Sequence, residues 1–66
     1  MGQYDRAALD YAQALAIMPN SARALYGRGV VKRLTGDVRS GDADIDMAKA
    51  LRPAIAEEMA ARGLKP

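Results

Sequence analysis

The stretch GDVRSGDADIDMAKALRP, residues 36–53, decides the fold, because it echoes GQYDRAALDYAQALAIMP, residues 2–19, at a shift of 34 positions. Gly2 falls on Gly36, Asp10 on Asp44, Ala14 on Ala48, Ala16 on Ala50 and Pro19 on Pro53. The echo continues outside the two stretches: Ala22 falls on Ala56, Arg28 on Arg62 and Gly29 on Gly63. The pairs Tyr4/Val38, Tyr11/Ile45, Ile17/Leu51 and Leu25/Met59 keep their apolar character. A fixed period of this size is the signature of a helical repeat array. Such units bury their apolar faces against neighbours and present a surface. The sequence therefore points to an all-α chain that binds protein.

Working outward from the repeat, the pattern predicts four helices, the last one short. The first runs over residues 3–18. Tyr4, Ala7, Ala8, Tyr11, Ala14, Leu15 and Met18 recur at three- and four-residue steps and form one stripe. Leu9 and Ile17 lie on the other side. Asp5 in the first turn complements the helix dipole, and Pro19 stops the helix. Asn20-Ser21 offers a cap for a second helix from Ala22 to Thr35. Ala24, Leu25, Val31 and Leu34 provide its contacts, with Tyr26 and Val30 on a neighbouring face. Gly27 and Gly29 stand inside it, each costing about 1 kcal/mol of helix propensity relative to Ala. Close approach of another helix at Gly29 is the expected reason. Gly36 ends the helix in a left-handed conformation, and Asp37 is placed to cap a third helix, residues 38–51. Val38, Gly41, Ile45, Met47 and Ala48 are expected inward, with Gly41 facing Gly29. Pro53 fits the first turn of a final helix, residues 54–63. Ile55 and Met59 form its apolar stripe, Gly63 and Leu64 its cap, and Lys65-Pro66 should fray.

Composition bounds the class. With 66 residues the chain is at most one small domain, near the size where a single core is marginal. Half of the residues are hydrophobic, which argues against disorder, yet the only aromatics are three tyrosines. The absence of Cys and His removes disulfides, zinc sites of those ligands and imidazole catalysis. A net charge of +2, with both signs interleaved, is no electrostatic footprint for nucleic acid. No apolar run approaches the roughly 18 residues of a membrane span. The opening Met1-Gly2-Gln3-Tyr4-Asp5 has no signal-peptide character, and Arg6 breaks the myristoylation pattern. These features lean toward the cytoplasm without fixing a compartment.

The residues also carry a family resemblance. Gly2, Tyr4, Ala7, Tyr11, Ala14 and Pro19 together resemble the second helix of a tetratricopeptide (TPR) repeat. Leu25 and Gly29, followed by Gly36-Asp37, Gly41, Ile45, Ala48 and Pro53, resemble a complete repeat over residues 22–52. Residues 55–63 look like the opening of a further first helix, acting as a cap. The resemblance covers residues 2–63, so the chain reads as one TPR-like domain, residues 1–66, a fragment of an α-solenoid. Two positions depart from the pattern: Lys32 replaces an aromatic, and Gly41 replaces Ala. Both suggest a loosely packed hairpin. The resemblance implies a groove for a peptide or protein, lined here by Arg23, Tyr26, Gly27, Val30 and Arg33. A carboxylate clamp of the kind some TPR proteins carry is not expected, since Gly27 stands where that clamp wants Asn.

Other patterns read as surface. Asp42, Asp44 and Asp46 mimic the start of a calcium loop, but Met47 and Pro53 occupy the positions that need Gly and Glu, so a solvated face is expected and no metal or cofactor. Glu57-Glu58 diverge on a helix and imply no acid–base pair. Arg23, Arg28, Lys32 and Arg33 make a basic side expected to pair with Asp42, Asp46 or an acidic peptide. Gly27 and Gly29 lack the strand and third glycine of a phosphate loop. No nucleophile–base pair can be assembled, so no enzyme is expected. Two readings remain: an interaction module presenting a groove, or a structural self-assembly element. The chain starts within a repeat, so it also reads as the C-terminal part of a longer array without a ligand of its own. Self-association as a homodimer is expected through Tyr4, Ala8, Tyr11, Leu15 and Met18, spaced as a helix seam.

Overall fold

The computed structural model describes residues 2–61. It is helical throughout, in the order α1 (Gly2–Ile17), α2 (Ala22–Leu34), α3 (Val38–Leu51) and α4 (Ile55–Ala61). The expected cap at Gly63 and Leu64 and the end at Lys65-Pro66 lie outside the described residues.

Local chemistry sets each boundary. Beyond α1, the Met18 amide still donates to the Ala14 carbonyl at 2.8 Å, and Pro19 then stops the ladder. Ser21 caps α2, its hydroxyl accepting from the Ala24 amide at 3.3 Å. At the other end of α2 the Asp37 amide donates to the Lys32 carbonyl at 2.8 Å and the Gly36 amide to that of Arg33 at 3.2 Å. This paired arrangement needs a left-handed residue, and Gly36 supplies it with φ of 101°. Asp37 precedes α3 but makes no side-chain cap bond, contrary to expectation. Pro53 does not sit in the first turn of α4 either. It holds Arg52 in an extended conformation, and the chain turns through Pro53 and Ala54 before α4 begins at Ile55.

Helix α2 is the hub: it packs against α1, α3 and α4, while α1 touches α2 alone among the described residues. The core joins Leu25, Tyr26 and Val30 of α2 with Ile45 and Ala48 of α3 and Ile55 and Met59 of α4, all buried. Leu15 of α1 packs against it from one side. The expectation of Val38 and Met47 inward does not hold; both are exposed, as is Leu34. Gly41, Asp44, Ile45 and Ala48 make up the inner face of α3.

The α2–α3 hairpin is tight, not loose. A methyl group placed on Gly29 would lie 2.6 Å from the Gly41 carbonyl oxygen, and one on Gly41 would lie 2.6 Å from that of Gly29. The two backbones meet where both side chains are absent, as the spacing predicted. Lys32, in place of an aromatic, reaches across instead: its Nζ donates to Ser40 Oγ at 2.9 Å and pairs with Asp44 at 2.9 Å.

Candidate protein-binding surface

The five residues expected to line a groove part company in the structure. Arg23 and Arg33 are exposed, whereas Tyr26, Gly27 and Val30 are buried. Tyr26 is 1% exposed. Two physical causes bury these three residues. Ile55 and Met59 of α4 enter the same buried cluster as Tyr26 and Val30, so α4 occupies the side of α2 that an open groove would need. Gly27 is the seat of a ring: a methyl group there would lie 2.3 Å from Tyr11 Cζ. Both interior glycines of α2 thus answer to a neighbour, Gly29 to the backbone of α3 and Gly27 to the side chain of Tyr11.

The expected self-association stripe divides in the same way. Ala8, Tyr11 and Leu15 are half-buried, and Tyr11 and Leu15 pack toward α2. Tyr4 and Met18 remain exposed. Further open apolar groups of α1 lie off this stripe, on Leu9, 64% exposed, and Ile17, 81% exposed.

Charges on α2 are largely committed to α3. Arg28 forks onto Asp44, with Nε to Oδ2 at 2.8 Å and Nη2 to Oδ1 at 3.0 Å. Lys32 joins the same carboxylate, and Arg33 pairs with Asp42. Asp44, read from sequence as part of a solvated face, is only 9% exposed. Burial pushes its carboxyl upward. The hydrogen bonds and positive charges of Arg28 and Lys32 outweigh that and hold it below the usual carboxylate range. The same bond to Asp44 raises Arg28, against the opposing effect of burial. A signal for Asp44 was present: it lies three residues after Gly41 and four before Ala48, on the inner stripe. Asp46, expected as a partner, is exposed. The three aspartates therefore diverge, and among the described residues no group of three acidic side chains converges as a metal site.

What remains open is one end of the bundle. Asn20, Ser21, Ala22 and Arg23 face Leu51 and Arg52 across a recess of about 430 Å³. Arg52 donates from Nε to Glu58 Oε2 at 2.7 Å, while Arg23 has no ion pair among the described residues. No sequence motif marks this recess, because residues 20–23 and 51–52, far apart in the chain, line it together.

The family model for the TPR repeat matches residues 1–36, more than half of the chain. This chain belongs to the TPR family. No curated protein and no solved structure matches it. The matched stretch spans α1, α2 and the glycine that ends α2, so it includes the packing of Tyr11 on Gly27. TPR repeats are protein–protein interaction units and generally not catalysts. No helix among the described residues is long and apolar enough to cross a membrane.

Proposed function

We propose that this TPR chain is a non-catalytic interaction module. It holds an acidic partner segment along the exposed basic residues of α2 and associates with copies of itself through α1. The observation that carries the reading is the family match across α1 and α2. The expected groove narrows to its accessible members. Arg23, beside the open recess, is the primary contact. Arg33 lies about three turns further along the same helix and shares its charge with Asp42. Tyr26, Gly27 and Val30 act on binding only through the fold. Self-association finds support in the unpartnered apolar groups of α1, since Tyr4, Leu9 and Ile17 are exposed on the helix and Met18 just beyond its end.

Titration with a labelled acidic peptide at low and high salt tests the first part. Binding should weaken with salt, and Arg23→Ala should weaken it about tenfold, the effect of losing one charge-assisted contact. Absence of binding at low salt, or an Arg23→Ala chain that binds equally well, refutes the partner reading. Sedimentation of the chain alone tests self-association independently.

A further inference from the structure

The 34-residue echo aligns Asp10 of α1 with Asp44 of α3, and Asp44 is the residue that α2 clamps. On α3, the stripe Gly41, Asp44 and Ala48 is buried against α2. The same stripe on α1 is Ala7, Asp10 and Ala14. Helix α1 meets α2 by a different side, through Tyr11 and Leu15. Asp10 and Ala14 are exposed, Ala7 is half-buried at the edge, and no ion pair reaches Asp10 among the described residues. One copy of the stripe is therefore used within the chain and the other is open.

The clamp has an echo too. Arg28-Gly29 of α2 recurs in the sequence as Arg62-Gly63, directly after α4. We propose that the Ala7–Asp10–Ala14 stripe of α1 is the docking face for the C-terminal segment of a second copy of this chain, residues 55–63. Arg62 of one copy then engages Asp10 of the next as Arg28 engages Asp44 within each chain. The proposal rests on the self-association proposed above and gives it a geometry.

Three features of the sequence fit the junction. The charges are complementary, acid on α1 and guanidinium after α4. Gly63 carries no side chain, and Ala7 and Ala14 carry small ones, a composition that suits a close junction, as Gly29 and Gly41 do within the chain. The second contact of the clamp changes on both sides together: Ser40, which receives Lys32, corresponds to Arg6, and Lys32 corresponds to Pro66. No lysine is brought against Arg6.

The two surfaces differ, so the contact is head-to-tail. A contact of this kind does not close on itself as a two-fold dimer does and adds copies at either end. Sedimentation equilibrium of the full chain should show a mass that keeps rising with concentration beyond that of a dimer. Asp10→Arg and Arg62→Asp should each weaken association about tenfold or more, the scale of one close charge pair. An equal mixture of the two variants should associate again, because each supplies the surface the other lacks. The mixture also serves as the folding control, since chains that had merely unfolded would not recover. The double variant Asp10→Arg/Arg62→Asp should associate as the unaltered chain does. A chain that stays monomeric overturns both this junction and self-association, while leaving peptide capture standing. A chain that associates with no response to Arg62→Asp, or whose mixed variants stay apart, overturns the junction alone and points to a symmetric α1 seam.

Discussion

Asp44 and Gly29 show how single residues set this hairpin. Asp44 sits almost buried between Arg28 and Lys32, and removing its charge would leave two half-buried cations without their shared anion. Asp44→Asn should cost about 1–3 kcal/mol, the range for an unsatisfied buried partner, measured by urea unfolding at neutral pH. The same carboxylate gives a pH signature. Its folded pKa lies below the unfolded value of about 3.9, so the unfolded chain binds the proton more readily. The stability it contributes is fully present above about pH 5 and is lost as pH falls through the carboxylate range and below. Asp44→Asn should flatten that acid limb, and a variant with an unchanged acid limb would assign the limb to other carboxylates. Gly29→Ala offers a contest between two effects. Helix propensity favours Ala by about 1 kcal/mol, but the new methyl would meet the Gly41 carbonyl oxygen at 2.6 Å. Backbone cannot swing aside as a side chain can, so overpacking of about 1–3 kcal/mol should win. A Gly29→Ala chain with a higher melting temperature would show that the helices can part at no cost.

At the scale of elements, the parts legible in the sequence were those governed by near neighbours. Pro19, Ser21 and Gly36 act within a few residues of themselves, so three helix limits follow from chemistry that never leaves the turn. The Gly29–Gly41 contact was legible as well, because a short connection forces α2 and α3 to pack antiparallel. What escaped was decided at long range. Tyr26 and Val30 look like groove residues until α4 folds over them. Gly27 looks like a missing side chain until Tyr11 arrives from α1. Leu34, Val38 and Met47 are apolar by sequence yet exposed, since none of the described helices covers them. This asymmetry carries a prediction about motion. Among the described residues helix α1 has one neighbour, and its hold on α2 runs through Tyr11 and Leu15. Few buried contacts mean low-energy local opening. In amide hydrogen exchange, α1 should lose protection well before the centres of α2 and α3. Gly27→Val should displace the Tyr11 ring and speed exchange in α1 while leaving the α2–α3 hairpin protected. Uniform exchange across all helices would mean that α1 opens only when the whole molecule does.

The whole molecule combines a small core with a long, half-covered first helix. A chain of 66 residues has few kcal/mol to spare, and its buried apolar set is short. Under these conditions a second surface that covers α1 matters for folding as well as for recognition. Association of folded copies stabilises the folded state by mass action, because the unfolded chain has no stripe to offer. Melting temperature should therefore rise with protein concentration. Once association is well populated, each tenfold increase contributes at most about 1.4 kcal/mol. In a domain of this size that corresponds to a rise of several degrees, at about 4–8 °C per kcal/mol. Calorimetry over a hundredfold concentration range measures it directly. Arg62→Asp should flatten the dependence, since the proposed junction sets Arg62 between copies. A melting temperature independent of concentration in the unaltered chain would mean that the exposed face of α1 contributes nothing to stability through a second copy.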